Sequence, residues 1–336
     1  ATRINSSGLI EKYRENVFTE SNNFSDSAWN LKAGTFTQGV EDPNGGNTAW
    51  SWTAQNTDPY IYQQLSVSGV YTLSIYAKGV GSTIGANFQL RNAGLTPNFT
   101  LTNEWQRFEI YNIPSNTNLG FEFGNPAVVG DVVHIYSAQL ESGMVSTDYL
   151  NSTSTTGKSG VLIDLPRINY DANGENGSLL LEPSRQQLIQ FSEYFGAWDK
   201  VPSAITITDN AAISPEGVQN AAYVQFTAAS QYIKIDASGS STTYTGSVWI
   251  KGTAGETIQI AVTGSDSGLK TLTGDWDRIE YTATGASLNL LIHTFGGATA
   301  RNVYIYGAML EPNASYATSY IPNHGTSGGV TRAADS

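Results

Sequence analysis

Two stretches decide the fold: residues 132–141 read VVHIYSAQLE and residues 302–311 read NVYIYGAMLE. They share Ile135, Tyr136, Ala138, Leu140 and Glu141 with Ile305, Tyr306, Ala308, Leu310 and Glu311. Each is too short and too rich in β-branched and aromatic residues for a buried helix. Gly307 apart, neither carries a breaker at its centre. Each therefore reads as the last long strand of a β-sandwich, and the sequence upstream of each can be laid out as one domain closed by that strand.

The repetition extends well beyond these strands. Glu11 and Arg14 in GLIEKYREN match Glu182 and Arg185 in LLLEPSRQQ, an offset of 182 − 11 = 171. Phe24 matches Phe195 and Trp105 matches Trp276 at the same offset, and Tyr71 matches Tyr244 at 244 − 71 = 173. A period of about 170 residues is too long for a solenoid and describes two homologous domains with small loop insertions. The expected layout is an N-terminal connector at 1–17, a first domain at 18–150, a connector at 151–188, a second domain at 189–322 and a C-terminal tail at 323–336. The stretch STSTTGKSG that opens the middle connector reads as extended and mobile.

Within each domain the apolar pattern alternates with a period of two, punctuated by Gly, Asn and Pro. YIYQQLSV and YTLSIYAKG, separated by Ser68-Gly69, read as a hairpin or tight connection. About eight or nine strands per copy, with no helical periodicity, give an all-β chain of two tandem antiparallel jelly-roll β-sandwiches joined by an extended connector.

Composition narrows the function. Charged residues make up 14% of the 336-residue chain, the net charge is −12, and no basic run occurs, which argues against nucleic-acid and anionic-membrane partners. No window approaches the length of a membrane-spanning helix. Cysteine is absent, so thiolate nucleophiles, disulfides and thiolate metal sites are excluded. The three histidines, His134, His293 and His324, do not recur between the copies, since His134 aligns with Tyr304. No G-x-S-x-G or H-E-x-x-H motif is present, and the chain reads as a non-enzyme.

Strand parity nominates a binding face. Leu65 and Val67 share the parity of Ile61, which turns Tyr60, Tyr62 and Gln64 outward. Leu73, Ile75 and Ala77 face inward, with Ser74, Tyr76 and Lys78 outward; in the second copy Val248 and Ile250 face inward, with Ser247, Trp249 and Lys251 outward. Aromatic faces beside charged and amide groups suit the apolar side of a sugar ring. Tyr60, Tyr62, Tyr76, Lys78, Tyr232, Trp249 and Lys251 are thus candidate ligand contacts; covered structural positions are the alternative reading of the same pattern. Trp105-x-Arg107 and Trp276-x-Arg278 read as an indole packed against its own arginine stem. Trp50 and Trp52, which match Val224 and Phe226, read as core.

The second copy carries a further set of motifs: Ser192-Glu193-Tyr194-Phe195, Pro215-Glu216-Gly217, Ser247-Val248-Trp249-Ile250-Lys251-Gly252, Trp276-Asp277-Arg278 and Thr318-Ser319-Tyr320-Ile321-Pro322. This order resembles the jelly-roll domains of bacteriophage tail and virion-surface proteins, which are similar in shape to carbohydrate-binding modules. The first copy departs from it at its end, where Asp148-Tyr149-Leu150 stands. The resemblance implies a glycan-binding or adhesion protein at a virion surface or other extracellular site. The partners it implies are a cell-surface or environmental polysaccharide, other virion proteins and further copies of this chain. A structural decoration or fibre protein, or an ancillary module of a polysaccharide-degrading enzyme, fits the same motifs. The resemblance also implies a structural calcium near the first and last strands of each domain, held by carboxylate and carbonyl oxygens, with Glu20 and Glu141 as candidate ligands in the first and Glu193 and Glu311 in the second.

Overall fold

The computed structural model describes residues 1–92, 96–114, 117–123, 127–162, 165–240, 243–296 and 299–335. The chain divides into two compact units: Arg14–Ser159, and Ala1–Tyr13 together with Gly160–Ser336. Each is an antiparallel β-sandwich. Single 3₁₀ turns at Gly81–Thr83 and Phe195–Ala197 are the only helical segments among the described residues.

The N-terminal unit has ten strands: β1 (Asn30–Lys32), β2 (Gly34–Val40), β3 (Ala49–Ala54), β4 (Tyr60–Gln64), β5 (Tyr71–Val80), β6 (Asn87–Asn92), β7 (Asn98–Thr100), β8 (Gln106–Asn112), β9 (Asn118–Phe123) and β10 (Val132–Ser142). One sheet has the order β8-β5-β10-β3-β2 and the other β1-β4-β9-β6-β7. From β3 to β6 the chain changes sheet at every step, which is the jelly-roll path. Ser68-Gly69 is therefore not a hairpin: β4 pairs with β1 and β9, and β5 with β8 and β10. The sequence pattern could not separate the two arrangements. A strand with one apolar face is satisfied equally by a partner beside it and by a partner across the core.

The C-terminal unit repeats this path with β11 (Asp199–Val201), β12 (Thr206–Ala212), β13 (Ala221–Phe226), β14 (Tyr232–Asp236), β15 (Thr243–Gly252), β16 (Thr257–Val262), β17 (Asp277–Thr284), β18 (Asn289–His293) and β19 (Arg301–Pro312). Its sheets run β17-β15-β19-β13-β12 and β11-β14-β18-β16, the latter extended by Ser265–Asp266. Each core fills with the inward residues of both sheets: Trp52, Leu73, Ile75, Phe121 and Ile135 in one, and Phe226, Val248, Ile250, Ile260 and Ile305 in the other. Trp50 and Trp52 belong to the core as expected.

The closing strands bulge at equivalent points. Register shifts occur beyond Tyr136 in β10 and opposite Ser247/Trp249 in β19, with positive φ at Ser137 (57°) and Gly307 (62°). A buried amide holds each bulge. Asn16 donates to the carbonyls of Ala138 (3.0 Å) and Leu150 (2.9 Å) and accepts from Leu140 N (3.0 Å). Gln187 donates to Ala308 O (2.7 Å) and accepts from Leu310 N (2.8 Å). Both backbone groups freed by the bulge are satisfied, which a buried strand requires.

The segments expected as connectors and tail belong to the packed structure. In the C-terminal unit Thr2–Ile4 pairs with Ile10–Lys12, Arg167–Asn169 with Ser178–Leu180, and Arg185–Gln187 with Val330–Arg332. Gly157–Gly160, within the stretch read as mobile, is a strand. Buried Arg167 ties three of these segments together, donating to Thr2 O (2.8 Å), Glu182 (3.0 Å) and the carboxylate of Asp335.

Candidate functional site

The outer face of the sheet containing β5 and β10, or β15 and β19, is where the two copies diverge. In the C-terminal unit the centre of this face is covered. Ile10, Tyr306, Met309, Tyr320 and Ile321 form a second apolar cluster over it, with Ile4, Trp249 and Trp276 packed against them. At its centre Lys12 Nζ lies 3.0 Å from Glu193 and 2.7 Å from Glu216. Asn220 donates to both carboxylates (3.2 and 2.8 Å), Tyr320 OH to Glu193 (2.9 Å) and Tyr306 OH to Glu216 (3.1 Å). Burial opposes ionisation of both partners, yet the opposite charges win: Lys12 is held above the usual lysine range and Glu193 below the usual carboxylate range.

The N-terminal unit keeps the frame and removes the charge. Ser21 bonds Tyr149 OH at 2.7 Å as Ser192 bonds Tyr320 OH at 2.7 Å. Glu193 aligns with Asn22, which accepts from Ser137 N (3.0 Å), and Glu216 with Asn44, which donates to Tyr136 OH (3.3 Å). Amides need no buried counter-ion. The result is a strip of half-exposed rings. Tyr136 lies 6.2 Å from Tyr76, 6.5 Å from Trp105 and 6.2 Å from Tyr149, centroid to centroid. Lys78 sits 5.1 Å over Trp105 and Arg107 5.5 Å over Tyr76. Burial, with Lys78 nearby, lowers the pKa of His134, and burial pushes Tyr149 up to about 12, so both are neutral at pH 7.

The candidate contacts read from the sequence do not form one face. Tyr76 and Lys78 lie on the strip, whereas Tyr60 and Tyr62 lie on the opposite sheet. Their rings are 5.7 Å apart, and Tyr60 already carries Lys32 (4.8 Å) and Arg91 (4.4 Å). Tyr232 is on the corresponding second sheet, edge-on to Phe295 at 5.7 Å. Trp249 is half-buried, as Tyr76 is: Arg278 lies 4.4 Å over it and Tyr320 is 5.7 Å away. Lys251 pairs across the ladder with Tyr304, one residue pair beyond Gly252↔Val303. The arginines of the W-x-R motifs therefore stack on the neighbouring strand, as Arg107↔Tyr76 and Arg278↔Trp249 pairs, and not on their own tryptophans.

The carboxylates nominated for calcium are not brought together. Glu193 is committed to Lys12, while Glu141 accepts from Thr147 (N, 2.8 Å; Oγ1, 2.5 Å) and Glu311 from Thr318 (N, 3.0 Å; Oγ1, 2.5 Å). Glu20 accepts from Asn23 at 3.4 Å. Among the described residues no group of three or more His, Cys, Asp or Glu is placed to hold a metal. Hydrogen-bond donors occupy both carboxylate oxygens of Glu141, Glu193 and Glu311.

No family model matches this chain. No curated protein sequence matches it either. Several solved structures align with it weakly. The tandem CBM22-1–CBM22-2 domain of Paenibacillus barcinonensis Xyn10C is 11% identical over 89% of this chain and 97% of its own length, with a TM-score of 0.29. The enzymatically active domain of tailspike protein 4 of bacteriophage CBA120 is 16% identical over 39% of this chain, with a TM-score of 0.28; this chain covers 21% of it. The CBM22-1–GH10 modules of Clostridium thermocellum Xyn10B, complexed with xylohexaose, are 12% identical over 42% of this chain and 30% of theirs, with a TM-score of 0.28. Scores this low carry no inference to this chain, whose fold is read from its own strand order.

Sequence reasoning missed Trp105, Tyr136 and Tyr149 as parts of one strip. Aligning the two copies supplies the signal: Glu193 and Glu216 become Asn22 and Asn44 while both tyrosines are kept. Lys12 gave no signal, because its partner Glu193 lies 181 residues away.

Proposed function

We propose that the chain is a non-catalytic glycan-binding protein of a bacteriophage virion or tail, acting at the virion surface, with the Tyr76–Trp105–Tyr136–Tyr149 strip as its binding face. The observation that carries this reading is the difference between the copies. On this sheet face one unit buries Tyr306 and Tyr320 over an ion cluster, and the other leaves their counterparts Tyr136 and Tyr149 half-buried beside Tyr76 and Trp105, bordered by Asn22, Asn44 and Lys78. Rings of this kind take the apolar face of a pyranose, and amide and ammonium groups take its hydroxyls. The hydrogen bonds and ring contacts of the four aromatic residues involve no Asp or Glu among the described residues. The motif order Ser192-Glu193-Tyr194-Phe195 through Tyr320-Ile321-Pro322 supports the placement on a phage particle.

Screening the intact chain against host surface polysaccharides tests the reading. Binding should occur and should fall about fivefold in Trp105→Ala and in Tyr136→Ala, at about 1 kcal/mol per ring, with the melting temperature little changed. Binding that survives both substitutions rejects the strip. A second reading, a structural decoration or fibre protein, is favoured by the covered centre of this face in the C-terminal unit, and an absence of binding across the panel selects it.

A further inference from the structure

The C-terminal unit contains a second feature that is independent of the aromatic strip: a cationic cavity beside Trp249. It measures about 220 Å³ and is bounded by Trp249, Arg278, Tyr320, Asn169, Ala317 and Glu182 among others. Arg278 is the unusual group in it. The guanidinium stacks 4.4 Å over the Trp249 ring and makes one hydrogen bond, from Nη2 to Ser247 Oγ at 3.0 Å. Its Nε is buried without a partner, and among the described residues no carboxylate lies within ion-pair distance of it. Its counterpart Arg107 makes the same serine bond (3.1 Å) and a second one, from Nη1 to Thr147 O at 2.7 Å. Arg278 makes no equivalent of that second bond among the described residues.

The nearby acids Glu311, Glu280 and Glu182 act on Arg278 through space, and none is within ion-pair distance of it among the described residues. Glu182 is shared between Arg167 (3.0 Å) and Arg332 (2.7 Å) and accepts from Ser319 N (2.7 Å) and Oγ (2.5 Å). Glu311 is held by Thr318, and Glu280 accepts from Ala317 N at 3.4 Å. Arg3, the other cation at the rim, is paired with Glu11 at 2.6 Å. The other polar linings are also engaged: Thr2 Oγ1 donates to Tyr320 O (2.8 Å), and Asn169 bridges Ile4 N (2.8 Å) and Tyr170 O (3.2 Å). One guanidinium without a carboxylate partner is left, stacked over the indole, with Nη1 making no hydrogen bond among the described residues and Nη2 only the one to Ser247. That is the geometry for bidentate capture of a planar oxyanion.

We propose that this cavity binds the carboxylate of an acidic sugar residue, with Arg278 as the pairing group and Trp249 holding the guanidinium in plane. The volume selects the size. It falls below the roughly 300 Å³ at which sites for drug-sized ligands begin, and so takes one carboxylated ring at the end of a chain. The aromatic and aliphatic remainder of the lining suits the ring's carbon face.

The test is saturation-transfer NMR and calorimetry on the full chain with glucuronic and galacturonic acids, glucose and galactose, sodium acetate, and a short polyglutamate peptide. The two uronic acids should bind, weaken as salt is raised, and be competed by acetate; the neutral hexoses should not bind. Arg278→Gln should lower uronate affinity tenfold or more. Should Arg278→Gln shift the melting temperature, Ala317→Phe decides instead, because it fills the cavity and leaves the charge in place; it should abolish uronate binding. Equal binding of neutral hexoses, tighter binding of polyglutamate, or full binding by Ala317→Phe each overturns the assignment. None of these outcomes depends on Trp105 or Tyr136.

Discussion

Lys12 shows how much one side chain can settle. It is 9% exposed and faces two carboxylates, of which Glu193 is 1% exposed. A charge so buried persists only because it is paired, and removing one partner leaves the others uncompensated. Lys12→Met should therefore cost the C-terminal unit about 3–5 kcal/mol in urea unfolding. Combining Lys12→Met with Glu193→Gln and Glu216→Gln should recover most of that loss, since neutral groups need no counter-ion. A loss no greater than that of an exposed lysine, under about 1 kcal/mol, would show that the cluster is open to water. The pH dependence follows from the sign of the shift. Glu193 has a folded pKa below its unfolded value, so its contribution is present above about pH 4.5 and fades as pH falls through the folded value.

Asp209 carries the opposite sign. Burial raises its carboxyl to about 6, against hydrogen bonds from the Gly196 and Phe195 backbones that favour the anion. A folded pKa above the unfolded 3.8 means that folding takes up a proton. Stability from this group is therefore greatest below about pH 4 and declines as pH rises to about 6. Asp209→Asn keeps the acceptor for Gly196 N and removes the charge. Its melting temperature should exceed that of the parent at pH 7 and match it at pH 4; the reverse order would show that the carboxylate is stabilised where it sits.

At the scale of the element, the bulged closing strands explain why buried amides stand at equivalent places in two segments first read as connectors. Asn16→Ala would leave Leu140 N and two carbonyls without partners in the core. Its expected cost to the N-terminal unit is roughly 2–4 kcal/mol, read from chemical denaturation. Ser137→Gly tests the other half of the device. Ser137 holds a positive φ at the position where the second copy has glycine, so the exchange should stabilise by up to about 1 kcal/mol. The reciprocal Gly307→Ser should destabilise, because a Cβ there would meet Trp249 at 3.0 Å. Strand existence and inward parity were legible here: Leu73, Ile75 and Ala77, or Val248 and Ile250, face the core as their alternation requires. Pairing was not legible between β4 and β5, because alternation specifies a buried face and not the neighbour on either edge. For the same reason the outward residues of β4 and β5, adjacent in sequence, point away from each other across the sandwich.

At the scale of the whole molecule, the repeat was legible because duplicated motifs keep their spacing. The use of residues 1–13 was not, because a segment whose partners are so distant in sequence leaves no local trace. Those residues precede the N-terminal sandwich in sequence and complete the C-terminal one in space. They supply Ile10 to its second apolar cluster and Lys12 to its buried acids, and Ile10 N donates to Pro215 O at 3.0 Å. A fragment of residues 160–336 should accordingly carry exposed apolar surface and two uncompensated carboxylates, and melt well below the same unit in the intact chain. A synthetic peptide of residues 1–13 should bind that fragment saturably and raise its melting temperature, since a ligand that binds only the folded form stabilises it by mass action. The same peptide carrying Lys12→Met keeps Ile4 and Ile10 but leaves Glu193 and Glu216 unpaired, and should give little or no shift. Equal rescue by both peptides would make the apolar strap, and not the ion cluster, the element that closes this face. A fragment that melts with the intact chain would show that the sandwich is complete without either.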